Sequence, residues 1–197
     1  MTDCACQQSV ADTAQQRRAV AIALALNGAM FVVGMVAGIV ADSSGLVADA
    51  LDMLADASAY GIALLAFGRT LVFKQRAAAA SGLLLAALGS GVVIDAIRRA
   101  VAGSEPEGWI IIAAATLSLI VNATVLRLLK PFRRGDAHLR ASWIFTRADV
   151  VANAGVIVAG VLVLATGNRM PDLIAGCLIG AYVVKEAVEI LRDARRA

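Results

Sequence analysis

The sequence predicts an all-α membrane domain of six transmembrane helices with both termini in the cytoplasm. Three observations carry that expectation. First, the 197 residues are 60% hydrophobic and 17% charged, with a mean hydropathy of +0.79, against about 45–50% apolar and about 25% charged in ordinary soluble domains. Second, six apolar runs, each long enough to cross a hydrocarbon core of about 30 Å, are separated by short turns. Third, the basic residues gather in alternate loops, as cytoplasmic loops of membrane proteins do. The net charge of +3 and pI near 9.0 are accounted for by those loops, and no nucleic-acid partner is implied.

The first sixteen residues are polar and are expected to begin as an irregular tail; residues 1–17 are set apart as a polar cytoplasmic segment. Helix 1 is expected over 20–41, with one polar residue, Asn27, and a Gly34-xxx-Gly38 pair that permits close helix contact. A turn at 42–45 leads to helix 2 over 46–67, followed by a basic loop at 69–76. Helix 3 is expected over 77–101, with Asp95, Arg98 and Arg99 toward its end. The Gly, Ser and Pro content of 103–108 marks a turn. Helix 4 covers 109–129 with Asn122 inside, and a second basic loop follows at 131–138. Helix 5 covers 139–166 and is polar in its first half, through Arg147, Asp149 and Asn153. A turn at 167–171 precedes helix 6 over 172–190, which carries Gly176-xxx-Gly180 and ends in a charged stretch. The membrane domain is expected over 18–194, with 195–197 as a tail.

Arg17 and Arg18, the 69–76 loop, the 127–134 segment and the C-terminal stretch fall on one side, which places both termini in the cytoplasm. No signal peptide is expected, because the first apolar run is too long for one. Cys4 and Cys6 are too close to form a good disulfide. They read either as a weak soft-metal handle or as an accident of the tail, and Cys177 as packing.

Asp49, Asp52 and Asp56 in helix 2 are spaced i, i+3, i+7, so their carboxylates share one side of the helix. One acid at bilayer depth costs about 2.5–3.5 kcal/mol on insertion scales. An apolar helix that carries three has a cation, a proton or a water path on that face; the bland alternative is an acidic cap near Asp42 and Ser43. Helix 5 repeats the pattern, since Phe145, Asp149 and Asn153 are spaced by four. If helices 2 and 5 face each other, Asp52, Asp56, Asp149 and Asn153 converge as a four-residue oxygen cage for a divalent cation. Crowded carboxylates resist full ionisation without a cation, and ligands must lose protons to bind metal, so metal and protons compete there. The alternative is interhelical hydrogen bonding by Asn153, with Asp149 paired to Arg147 or Arg140.

The stretch Ser44-Gly45-Leu46-Val47-Ala48-Asp49-Ala50-Leu51-Asp52-Met53-Leu54-Ala55-Asp56, with Leu139-Arg140-Ala141, Asp149 and Gly155-Val156-Ile157, resembles the cation diffusion facilitator family of divalent-metal/proton antiporters. The resemblance spans residues 18–194. It implies that Asp52, Asp56 and Asp149 are metal ligands and that Asp49 is a supporting or proton-handling acid. The family's helix-5 histidine position is Phe145 here, which cannot bind metal. The fourth donor is then Asn153 or water, and an all-oxygen site suits harder ions such as Mn²⁺ or Fe²⁺ better than an imidazole site suited to Zn²⁺. The resemblance is to short members without the family's cytoplasmic C-terminal domain.

The expected function is export of a divalent cation (Zn, Co, Cd, Mn or Fe) in exchange for protons, with the metal as cargo and no tightly bound cofactor. The partners expected are the cation, protons, the lipid membrane and a second copy in a homodimer, through Gly34/Gly38 or Gly176/Gly180 where those pairs are not used within one chain. The location expected is a bacterial inner membrane. A non-transporting membrane sensor or interaction protein is the alternative, motivated by Phe145. No enzyme is expected: the sole histidine, His138, lies in a loop, and no Ser/His/Asp or two-His pattern is present.

Overall fold

A computed structural model describes the backbone of residues 3–65, 71–132 and 137–196, with side chains over 14–65, 72–73, 75–132, 146–192 and 194. The side chains of Cys4, Cys6, His138, Arg140 and Phe145 lie outside the described residues. Six helices and a short 3-10 turn make up the described chain, with no strand among the described residues. The helices are α1 (Asp3–Val40), α2 (Ser44–Leu65), α3 (Leu71–Ala102), α4 (Gly108–Leu129), α5 (Ala137–Thr166) and α6 (Met170–Arg196), with the 3-10 turn at Lys130–Phe132.

Three ends run further than the apolar runs alone indicate. The polar N-terminal stretch is helical from Asp3, because no Pro or Gly interrupts the chain before Gly28. Likewise α3 takes in most of the basic loop from Leu71, and α6 continues through Leu191 and Arg192 to Arg196. Lys, Arg, Gln and Leu are good helix formers whatever solvent they face. At the first turn, Ser44 and Gly45 already belong to α2, and the reversal is confined to 41–43. Asp42 takes a left-handed φ of 49° there, and the N–H of Ser43 returns to the carbonyl of Gly38 at 2.9 Å, the closing bond of a helix C-terminus.

Among the described residues, four segments are long and apolar enough to cross a membrane: Ala14–Val40, Gln75–Ala102, Gly108–Phe132 and Thr146–Thr166. The 22 residues of α2 span about 33 Å at 1.5 Å per residue, yet every 18-residue window within it holds Asp49, Asp52 and Asp56. Charge also keeps α6 out of this group, through Asp172, Lys185, Glu186 and Glu189. The outer surface is apolar: Val36, Leu83, Ile94, Val101, Val151 and Leu178 are all exposed, which suits lipid rather than water.

Helix α2 packs against all five others, and the closest pairings are α1 with α2, α3 with α6, α4 with α5, and α2 with α6. Small residues set these contacts. A Cβ on Gly38 would stand 2.8 Å from the Val47 side chain, and one on Gly176 would stand 2.7 Å from Cβ of Ser44. Gly34 faces Ala50 and Gly180 faces Val93, so both pairs considered for a dimer surface are occupied within the chain. By contrast α5 and α6 leave between them an apolar groove of about 550 Å³, with Val151, Leu162, Leu178 and Tyr182 among its walls.

The turns between α1 and α2, α3 and α4, and α5 and α6 meet at one end of the bundle. The N–H of Glu107 donates to the Ala41 carbonyl at 2.9 Å. Arg99 bonds Asp42 and Asp95, the Glu105 N–H donates to Asp42 at 3.0 Å, and Arg169 donates to the Ala100 carbonyl at 3.2 Å. The start of α2 is fully capped. Ser44 and Gly45 N–H groups donate to the Asp172 carboxylate at 2.8 and 3.2 Å, as does the Ser43 hydroxyl. Leu46 N–H donates to Ser43 Oγ at 3.0 Å and Val47 N–H to the Ser43 carbonyl at 3.3 Å. With this gathering of alternate turns, the described start of α1 and end of α6 lie toward the other end of the bundle.

Candidate metal site

The apolar periodicity of α2 turns Leu46, Ala50, Met53 and Ala57 inward, and its acids share the interior because α2 is surrounded. Asp49 and Asp52 are buried and Asp56 is half-buried. Asp149 and Asn153, one turn apart on α5, are buried as well. These side chains divide into two adjacent layers.

The first layer is a hydrogen-bond network in which only the Asn122 side-chain oxygen lacks a partner. Asp49 accepts from the Ser118 hydroxyl at 2.8 Å and from the Asn153 amide. The Asn122 amide in turn donates to the Asn153 carbonyl oxygen at 3.0 Å. Four side chains from α2, α4 and α5 therefore hold one another, and Asn153 uses both ends of its amide.

The second layer is acidic. The Asp149 carboxyl lies within hydrogen-bonding reach of Asp52 and Asp56, and the three interact electrostatically. One oxygen of Asp149, Oδ2, is buried with no hydrogen-bond partner. Glu186 of α6 is half-buried and within electrostatic reach of all three aspartates. Tyr182 stands one turn before it on α6, and Tyr60 Oη lies 3.3 Å from Oγ1 of Thr146 beside the group.

Of the residues singled out from sequence, Asp52, Asp56 and Asp149 come together, while Asn153 joins Asp49 instead. Among the described residues no three His, Cys, Asp or Glu side chains stand close enough together to enclose an ion as they are placed. Glu186 was read from sequence as part of a charged end. Its position relative to the buried stripe of α6 was the available signal, since it lies seven residues after Ile179 and three after Val183, both buried. Other polar residues fall outside the site. Asp95 pairs with Arg98 at 2.8 Å and with Arg99, and Asn27 donates to the Ala23 carbonyl at 3.0 Å within its own helix. Arg147 is exposed while Asp149 is buried, so the two occupy different faces of α5.

Buried carboxylates at this depth are held apart from water and repel one another, and the arrangement favours whatever neutralises them. Protons do so one at a time; a divalent cation does so for two acids at once. The oxygen-only donor set matches hard or borderline divalent ions.

Residues 20–197 match the model of the cation efflux transmembrane domain. Among curated proteins the chain is similar to a metal cation efflux system protein CzcD from Cupriavidus metallidurans and to a cation efflux system protein CzcD from an Alcaligenes strain. Each is 27% identical over 188 residues, which cover 89% of this chain and 60% of the relative. The chain thus spans 60% of the length of these relatives. Six helices with a lipid-suited surface, a buried acidic layer and a family match over nearly all the chain agree: this is an integral membrane protein that belongs to the cation efflux family.

Proposed function

We propose that the chain exports a divalent metal cation in exchange for protons, through a site formed by Asp52 and Asp56 of α2 and Asp149 of α5. The observation that carries this reading is the buried Asp149 carboxyl, with one unpartnered oxygen, within reach of both acids of α2. Asn153 belongs to the site through Asp49, whose carboxylate it holds. Loading draws the three acids around the ion and displaces their protons; unloading lets protons return, so that cation and proton movements are coupled. The loose seam between α5 and α6 gives α5 room to rock against α2 and expose the site to alternate sides. The end that holds the termini faces the cytoplasm, by the basic residues that border it, and a bacterial inner membrane suits the relatives' sources. A homodimer, in this reading, pairs through surfaces other than Gly34/Gly38 and Gly176/Gly180.

The test is uptake of Mn²⁺, Fe²⁺, Co²⁺, Zn²⁺ and Cd²⁺ into proteoliposomes acidic inside. Gradient-dependent uptake that is lost in Asp56→Ala and Asp149→Ala, both still folded, is the expected result. Wild-type flux in either variant refutes the site. Phe145, one turn before Asp149 on α5, supports the second reading, a non-transporting membrane protein of the same fold; absence of flux with every ion would favour it.

A further inference from the structure

We propose that Glu186 of α6 is a fourth carboxylate of the ion path, the first acid that a cation meets on its way from the end of the bundle that holds the chain termini. The inference rests on the transport reading above and adds a helix to the site. Helices α2 and α6 start together where Ser44 meets Asp172 and run side by side in the same direction. Counting along each helix from that contact, Asp52 stands about 12 Å in, Asp56 about 18 Å and Glu186 about 21 Å, at 1.5 Å per residue. The acids therefore form a column, and Glu186 closes it on the side where the basic loops lie.

Three further observations fit this role. Glu186 is half-buried on the inward stripe of α6, beside buried Val183 and Ala187. Its neighbour Lys185 turns outward to Glu189 at 3.6 Å. Finally, the unpartnered Asp149 Oδ2 belongs to a carboxyl within electrostatic reach of Glu186, which leaves a bare acceptor in the acid group that a cation would satisfy. A carboxylate here supplies another hard oxygen donor, which suits a hard divalent ion.

The experiment uses the full chain in proteoliposomes, with Mn²⁺ and Zn²⁺ as probes, and compares wild type, Glu186→Gln, Glu186→Asp and Asp149→Asn. Expected is a rise of roughly tenfold or more in apparent KM for Glu186→Gln at near-unchanged maximal rate, with Glu186→Asp between the two. A wild-type KM in Glu186→Gln overturns the inference while the transport reading stands, provided that Asp149→Asn is inactive. Wild-type transport by Asp149→Asn refutes the site reading itself and this inference with it. Should Glu186→Gln not fold, Glu186→Asp decides alone: a wild-type KM overturns the proposal and a raised KM supports it.

Discussion

Asn153 donates its side-chain amide to the carboxylate of Asp49, across the contact between α5 and α2. The same amide accepts from Asn122, and Ser118 holds the other oxygen of Asp49. An acid that the i, i+3, i+7 spacing would group with Asp52 and Asp56 is thereby given fixed neutral partners. The acids one turn away have carboxyl groups for neighbours instead. The polar interior thus contains a rigid layer and a responsive layer, stacked along α2.

The rigid layer predicts the effect of Asn153→Ala. Removal of the amide leaves a buried carboxylate short of a donor and Asn122 short of an acceptor, a cost of about 1–3 kcal/mol for each unsatisfied group. The expected outcome is a lower unfolding temperature in detergent with the number of bound ions unchanged. Loss of metal binding at wild-type stability would instead make Asn153 a direct ligand.

Asp172 predicts a second stability effect, remote from the acids. It receives the first two N–H groups of α2 and the Ser43 hydroxyl, so Asp172→Ala exposes a helix N-terminus to an apolar surround. Loss of such a cap costs about 0.5–2 kcal/mol, and the buried setting moves it toward the upper part. Asp172→Asn, which keeps one acceptor, falls between. Thermal unfolding of the three proteins in one detergent checks the order; equal midpoints would mean that the contact contributes nothing net.

The number of helices and the acids of α2 were legible in the sequence because apolar runs and i, i+3, i+7 spacing are local properties. Asp149 was legible by the same spacing on α5. The partner of Asn153 was not, since the face it shares with Asp149 leaves open which acid of α2 it meets; that depends on the relative height of α2 and α5, which no local spacing encodes. Glu186 was hidden by its neighbours: Lys185, Glu189 and Arg192 make the segment look solvated, and only its phase relative to Ile179 and Val183 separates it from them. Helix ends were misjudged where charged residues continue a helix past its apolar span, as at Leu71 and after Ile190.

Close approach sorts the glycines. A side chain at Gly176 would meet Ser44, and at Gly108 would meet the Gly160 carbonyl at 2.8 Å, whereas Gly28 and Gly155 have nothing within 4 Å. Gly176→Ala and Gly108→Ala should lower folded yield or unfolding temperature. Gly28→Ala and Gly155→Ala, in helix interiors, should be neutral or stabilising by up to about 1 kcal/mol. Fluorescence size-exclusion profiles after heating test this; equal losses in both groups would contradict the packing.

Proton competition fixes the sign of the pH effect. In the proposed exchange, protons held by the Asp52, Asp56 and Asp149 carboxyls leave as the ion binds. Acidifying the loading side should therefore weaken apparent affinity, by up to about tenfold per pH unit for each proton displaced. Acidifying the release side should accelerate net uptake. Initial rates with each side buffered separately measure both signs, and an effect in the same direction from both sides would exclude exchange.

The last prediction concerns selectivity. Phe145 precedes Asp149 by one turn of α5, so Phe145→His tests whether an imidazole there adds a nitrogen donor to the proposed oxygen-only site. Imidazole favours borderline ions such as Zn²⁺ over the harder Mn²⁺. Phe145→His should raise the ratio of Zn²⁺ to Mn²⁺ transport, read as kcat/KM for each ion in the same vesicles, and should make Zn²⁺ transport more sensitive to acid in the range where histidine titrates. Adding Asp149→Ala to Phe145→His should remove both effects, because the new nitrogen has no ion to share without the acid one turn away. An unchanged ratio in Phe145→His would mean that position 145 does not border the ion, and that the selectivity of this chain is set by the acids of α2, α5 and α6 alone.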